Sequence, residues 1–227
     1  MSANIIISYD GTNNEDDAVA LGRLFASAGA EVSLAYVRHA PEDEASREIL
    51  AQHEAETLLG RGAELLGDAD AQRHVITDRS TPDGLSKLAA QTGADVIVFC
   101  SDSHTAKGRI AIGNSAQRLL NGGTAAIAIA PAGYAKSAGS QPGRGIAVAG
   151  DGSALATAEA LARALGVELV GADQAGLLVV GSRPEAEQGR VSLSAASENL
   201  IENVTSPVLV VPRGTTLAFD GHAVAAA

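Results

Sequence analysis

Tryptophan is absent from this 227-residue chain, cysteine occurs once, and the aromatic side chains amount to three Phe and three Tyr. A single thiol, Cys100, closes no intramolecular disulfide and supplies no set of thiolates for a structural zinc, which fits the cytosol. So few rings argue against the stacking platforms that grip single-stranded nucleic acid. Positive charge is also scarce: 16 Lys and Arg stand against 27 Asp and Glu, and the net charge of −11 repels phosphate backbones and anionic membranes. No apolar run approaches the roughly 20 residues of a membrane helix. Met1-Ser2-Ala3-Asn4 carries no basic charge and precedes only three isoleucines, so no export signal is read there and a cytoplasmic location is expected.

What the chain does have is aliphatic. Hydrophobic residues make up 46% and charged residues 19%, enough to bury a core and too little charge for a disordered acidic polymer. At roughly 100 to 200 residues per domain, the length exceeds one small module and falls short of two full domains.

Through residue 131, short β-branched runs alternate with helical patterns, the signature of a parallel sheet covered by helices. Strands are expected at 5–8, 32–37, 74–77, 95–100 and 125–130. Helices are expected from Glu15 to about residue 28, over 42–66, from Thr81-Pro82-Asp83 to Gly93, and over 115–121. Thr12 or Asn13 is positioned to cap the first helix, and Glu15, Asp16 and Asp17 place carboxylates against its dipole. Ligands in such sheets bind outside the carboxyl ends of strands where strand order reverses, which directs attention to the loops after Ser8 and Cys100. The Ala, Ser, Gly, Gln and Pro composition of 132–145 reads as a flexible linker.

A repeat follows. Residues 100–131 align without a gap to 181–212, an offset of 81 residues (Cys100 to Gly181), matching Ser101 with Ser182, Gly108 with Gly189, Arg109 with Arg190 and Pro131 with Pro212. Asp10-Gly11-Thr12 parallels Asp151-Gly152-Ser153 at an offset of 141 residues, so the second copy lacks about 60 residues from its middle. Only residues 171–176 separate the apolar runs 167–170 and 177–180, too few for a parallel crossover. These runs form a hairpin, or one of them is not a strand.

Asp10-Gly11-Thr12 after the first strand, Val37 closing the second, and a loop of the Gly-x-x-Gly-x9-Gly-Ser type before the fourth helix together resemble the universal stress protein family. The resemblance spans nearly the whole chain, as a tandem protein of the actinobacterial type with a shortened second copy. Residues 126–134 after Arg118-Leu119-Leu120, and the ending Ser206-Pro207-Val208-Leu209-Val210-Val211-Pro212, carry it further. It implies an open parallel five-stranded α/β sheet with helices on both faces, of the nucleotide α-hydrolase-like kind, followed by a truncated copy. The implied units are 1–134, a linker at 135–144, a second domain at 145–214 and a tail at 215–227.

The resemblance also implies regulatory ATP binding in the first domain. The acidic residue after strand one contacts the adenosine, the end of strand two contacts adenine, and the glycine loop holds phosphates. By position these are Ser8, Asp10, Gly11, Val37, Cys100, Ser103, Gly113, Asn114 and Ser115. Cys100 and Ser103 stand where the first two glycines belong, and Asn114 where Ser or Thr is usual. Glycines there allow positive φ and close approach of backbone N–H to phosphate, and a Ser forced into the left-handed region costs about 1 kcal/mol. Lys107 and Arg109 supply compensating charge or face water. The second copy keeps Gly181 but has Pro184, which lacks a backbone donor, and Ser194 at the other two glycine positions. It is expected to bind nucleotide poorly.

Plainer readings stand beside these. Asp10-Gly11-Thr12 also suits a simple turn and cap, Cys100 a small core hydrophobe, His53 a solvated helix face, and the Glu15-Asp16-Asp17 cluster dipole compensation rather than a metal site. His104 has no second His or Cys at metal-ligand spacing, so no metal is expected. No nucleophile elbow, His-Glu-x-x-His or dinucleotide Gly-x-Gly-x-x-Gly occurs, so robust catalysis is not expected and at most slow ATP hydrolysis. An enzyme of the nucleotide α-hydrolase group is disfavoured because the first loop reads Ser8-Tyr9-Asp10-Gly11-Thr12. The rival reading is a nucleotide-free dimerising scaffold; under either reading a homodimer is expected through edge strands at 125–130 and 208–211, which can pair within one chain, between chains, or both.

Overall fold

Each β-branched run of the first 131 residues becomes a strand, and each amphipathic stretch between them a helix. The computed structural model describes residues 2–12, 14–39, 45–138 and 145–221. Its first elements are β1 (Asn4–Ser8), α1 (Glu15–Ser27), β2 (Glu31–Arg38), α2 (Ala45–Leu66), β3 (Arg73–Thr77), α3 (Thr81–Thr92), β4 (Val96–Cys100), α4 (Asn114–Leu120) and β5 (Ala126–Ala130). They are followed by α5 (Tyr134–Ala138), β6 (Gly145–Ala149), α6 (Gly152–Leu165), β7 (Ala175–Gly181), α7 (Ala195–Asn203) and β8 (Val208–Val211).

The expected five-stranded parallel sheet is present in the order β3-β2-β1-β4-β5, and it continues into β8-β7-β6 to make one eight-stranded sheet. Every named pairing is parallel except β5 with β8, where Ile127, Ala128 and Ile129 face Val210, Leu209 and Val208. The strands expected to offer dimer edges are therefore paired with each other inside the chain, each flanked on both sides.

Side chains alternate across the sheet with period two. Ile5, Ile7, Val96, Val98 and Leu209 pack with α1, α2 and α6 on one face, while Ile6, Ile97, Phe99, Ile127 and Val210 pack with α3, α4 and α7 on the other. In β5 the face toward α1 is all alanine and the opposite face isoleucine, so a helix can lie close on one side only.

The offset of 81 residues reappears in hydrogen bonds. Ser101 Oγ donates to the Ala130 carbonyl at 2.8 Å, and Ser182 Oγ to the Val211 carbonyl at 2.8 Å. Gly108 N donates to Ala132 O at 2.7 Å, and Gly189 N to Arg213 O at 2.9 Å. The two halves also exchange arginines: Arg109 Nη1 reaches the Asn203 carbonyl at 3.5 Å, and Arg190 Nη1 the Gly122 carbonyl at 2.9 Å.

Several local expectations need correction. Asn14, not Thr12, precedes the first helix; it sits at φ 79° and makes no side-chain cap, while Asn13 lies outside the described residues. Ser80 caps α3, its hydroxyl accepting from Asp83 N at 3.4 Å. Within the stretch expected to be linker, 134–138 form α5, and residues 139–144 lie outside the described residues. For the runs 167–170 and 177–180 the second of the two readings holds: 177–180 lie in β7, whereas 167–170 form no strand and Leu169 makes only one parallel bridge to Ile146.

The described part of the expected tail, 215–221, is docked. Leu217 N donates to Thr157 Oγ1 on α6, Ala3 N to Ala218 O, and Gly221 N to Ala28 O. The buried Phe219 ring stacks on Phe25 of α1 with centroids 6.0 Å apart. This segment straps the second half to the first.

Candidate functional site

The chain leaves β1 toward β2 on one side and later returns to β4 on the other, so loops part at the carboxyl ends of β1 and β4. A cleft of about 680 Å³ opens there. Its walls are the β1–α1 turn (Tyr9, Gly11, Thr12, Asn14), α2 (Leu58, Arg61), the loop after β4 (Ser103, Thr105, Lys107) and the entry to α5 (Gly133, Lys136). A smaller hollow of about 390 Å³, between the end of β2 and α2, includes Tyr36, Arg38 and His53 and shares Leu58 and Arg61 with it.

The first acidic cluster builds this site from behind. Glu15 is buried, and its carboxyl group accepts from Asp10 N at 2.6 Å and from Gly11 N. Burial, reinforced by Asp10, pushes its pKa up to about 9 against the pull of those two N–H groups. Asp17 is buried too; its two oxygens accept from Gly133 N and Ala135 N at 2.7 Å each, fixing the entry to α5. Burial raises its pKa despite these donors. Only Asp16 of the three is exposed, on the cleft wall. Asn14 Nδ2 donates to the Asp102 carbonyl at 3.1 Å and so ties the two rims together.

Of the nine residues expected to bind nucleotide, Gly11 and Ser103 line the cleft. Asp10 is exposed beside it, its Oδ1 accepting from Thr12 N at 3.0 Å. Ser8 is paired with Ala35 within the sheet, and Val37 buries its side chain beneath α3, against Gly84. Cys100 ends β4 half-buried, and burial pushes its thiol up to about 12. Gly113, Asn114 and Ser115 open α4 away from the cleft walls. Gly113 sits at φ −69°, open to any residue, and Ser103 is not left-handed, so the strain expected at the replaced glycine is not incurred. Lys107 and Arg109 part company: Lys107 lines the cleft, whereas Arg109 turns to Asn203.

Sequence reasoning missed Leu58, Arg61, Thr105 and Lys136. Arg61 carried no signal beyond an exposed helical position, and Lys136 lay in what read as linker. Among the described residues, no group of three or more His, Cys, Asp or Glu is arranged to hold a metal. None of their helices is long and apolar enough to cross a membrane.

In the second half the β6–α6 turn and the end of β7 come close together. Gly150, at φ 144°, lies against Gly181, so that a Cβ on Gly150 would come within 2.7 Å of the Gly181 backbone. Ser194 caps α7, accepting from Ser197 N at 3.1 Å.

Comparison with known proteins agrees with this fold. A universal stress protein from Archaeoglobus fulgidus DSM 4304 superposes with a TM-score of 0.67 at 17% identity, covering 94% of this chain and 100% of that one. A universal stress protein, described as putative, from Pseudomonas aeruginosa UCBPP-PA14 gives 0.59 at 13% identity, covering 92% and 93%. No curated protein matches the chain. A family model described as the universal stress protein family matches residues 1–131, and with more than half of its length so matched the chain belongs to the universal stress protein family.

Proposed function

We propose that this is a cytoplasmic, regulatory protein that binds an adenine nucleotide, ATP foremost, in the cleft of its first unit, and that occupancy rather than turnover is its output. The observation that carries the reading is the cleft itself. It lies where strand order reverses, between the Asp10-Gly11-Thr12 turn and the loop after Cys100, and its volume of about 680 Å³ falls in the usual range for small-molecule sites. The family resemblance supplies the adenine. Residues 145–214 are read as a shortened second copy that carries Pro184 and Ser194 at two glycine positions of the loop and whose task is to flank β5.

The absence of robust turnover is supported by the carboxylates of the cleft. Asp17 already accepts two N–H groups, and Asp16 stands on the wall with no hydrogen-bond or ion-pair partner among the described residues to aim it at a phosphate or a water. The Cys100 thiol, pushed up to about 12, makes a poor nucleophile.

The test is to purify the protein from cells, denature it, identify any released nucleotide by mass spectrometry, and titrate the stripped protein with ATP by calorimetry. A stoichiometric adenine nucleotide, or saturable ATP binding, is the expected result. A protein that is empty and also ignores ATP overturns the reading in favour of a nucleotide-free scaffold. That alternative is favoured by one observation: Glu15 already occupies the backbone donors of Asp10 and Gly11.

A further inference from the structure

In a chain with 27 acidic and 16 basic residues, three cations from three separate elements converge on one cleft: Arg61 of α2, Lys107 of the loop after β4 and Lys136 of α5. None of the three lies within ion-pair distance of a carboxylate among the described residues, whereas Lys87, Arg118 and Arg190 do. The acids on the same walls are Asp16 and Asp17; Asp17 is engaged by Gly133 N and Ala135 N and also feels the charge of Lys136, which does not approach within ion-pair distance. The stem of Lys107 runs over Gly133, its Cγ 3.6 Å from where a Cβ would sit, which holds the lysine on the cleft wall.

Six backbone donors on or beside the cleft walls are already in use. Asp10 N and Gly11 N go to Glu15, Thr12 N to Asp10, and His104 N to Asp102 Oδ1. Thr105 N goes to the Asp102 carbonyl and Gly108 N to that of Ala132. A phosphate entering here therefore meets side-chain cations before it meets free N–H groups. Thr105 Oγ1, on the same wall, is shielded from solvent and has no hydrogen-bond partner among the described residues. A hydroxyl left in that state is a donor awaiting an acceptor.

We propose that the cleft recognises a polyphosphate chain through the side chains of Arg61, Lys107 and Lys136, with Thr105 as hydroxyl donor, in place of the glycine-loop backbone. The inference rests on the nucleotide reading and narrows it: the ligand carries two or three phosphates, because three cations with no ion pair among the described residues match a charge that a cyclic monophosphate lacks. Ammonium and guanidinium groups bound to phosphate make charge-assisted hydrogen bonds, stronger than neutral ones and screened by salt.

The experiment titrates the full chain with ATP, cyclic AMP, adenosine and inorganic tripolyphosphate, for the wild type, Lys107→Met, Lys136→Met, their double variant, and Arg23→Met as an exposed control. ATP is expected to bind the wild type tighter than cyclic AMP by about 100-fold, and each single variant to weaken it about 10-fold, or about 1.4 kcal/mol. Adenosine binding and Arg23→Met are expected to be unchanged. Binding of ATP should weaken as salt rises from about 0.1 M to about 1 M, where the screening length falls from about 10 Å to about 3 Å. ATP affinity in the double variant equal to wild type, or cyclic AMP binding as tightly as ATP, overturns the inference while leaving the nucleotide reading intact. Tripolyphosphate binding lost in the double variant, with adenosine and ATP showing no preference over it, upholds the inference and removes the nucleotide reading instead.

Discussion

Replacing Glu15 by Gln should change how stability depends on pH more than it changes stability itself. The Glu15 carboxyl is raised from its ordinary 4.5 to about 9, burial being the main cause, so between those limits the folded protein holds a proton that the unfolded chain releases. A raised acid favours folding at the low end of that window, and the advantage is lost as pH rises toward 9. The slope can reach about 1.4 kcal/mol per pH unit, which sets a ceiling of about 4 kcal/mol between pH about 5 and about 8. Two backbone N–H groups stabilise the ionised form and the side chain can relax, so we expect about half of that ceiling. For a chain of this size that corresponds to roughly 4 to 8 °C in Tm. Glu15→Gln presents a neutral oxygen of the same reach to Asp10 N and Gly11 N, and its stability should not carry this slope. The assay is thermal unfolding of both proteins across that pH range, read as the difference between them. Asp17, His74, Asp78 and Asp151 are also shifted, but they titrate in both proteins and cancel. A difference that stays constant from pH about 5 to about 8, or grows in the opposite direction, refutes a neutral Glu15 behind the β1–α1 turn.

Three further outcomes are expected. Phe219→Ala removes a buried ring stacked on Phe25 and should cost about 3 kcal/mol in urea unfolding; a loss below about 0.5 kcal/mol would mean that the 215–221 strap is not docked. Arg190→Met should destabilise by about 1 kcal/mol, with Arg109→Met costing less because its contact is 3.5 Å rather than 2.9 Å; the reverse order would contradict the geometry. Cys100, its thiol pushed up to about 12 by burial, should react with a disulfide reagent at pH about 8 only after denaturation, and rapid labelling of the native protein would show the end of β4 to be open.

The strands were legible because buried parallel strands are apolar on both faces, and runs such as Ile5-Ile6-Ile7 and Val96-Ile97-Val98 have few other uses. The repeat was legible for a related reason: the Ser101–Ala130 hydrogen bond and its counterpart Ser182–Val211 need the same residues at the same spacing. The site was less so. Helix α5 is five residues in an Ala- and Ser-rich stretch, and its entry is fixed by Asp17, more than 110 residues earlier, which local pattern cannot reveal. Lys136 was hidden with it. Position within a motif placed Gly113, Asn114 and Ser115 at the ligand, yet α4 starts clear of the cleft walls because the 101–113 loop folds on its own hydrogen bonds and on Ala132.

The junction between the halves leads to the last prediction. In the antiparallel β5–β8 pair, Ile127 faces Val210, Ala128 faces Leu209 and Ile129 faces Val208. With an offset of 81 residues, Leu209 is the counterpart of Ala128, so the pairing is centred on that position and each arginine of the Arg109–Asn203 and Arg190–Gly122 exchange sits on the opposite side of it. This is the arrangement of an isologous dimer contained in one chain. The cleft draws none of its walls from 145–221, yet Ala132, Gly133 and Lys136 follow directly from β5, so the second half acts on the site by holding that strand. A chain ending at residue 138 would keep the whole cleft and expose the ladder edge of β5 with its fully buried Ile127, Ala128 and Ile129. An apolar edge of that kind pairs with another of its kind. We expect this fragment to elute as a dimer in size-exclusion chromatography, β5 against β5 with Ala128 facing Ala128, and a charged residue at Ala128 to return it to monomer or to aggregate. A stable monomer without any such change would mean that β8 is not needed to satisfy β5, and that the second half persists for a reason other than closing the sheet.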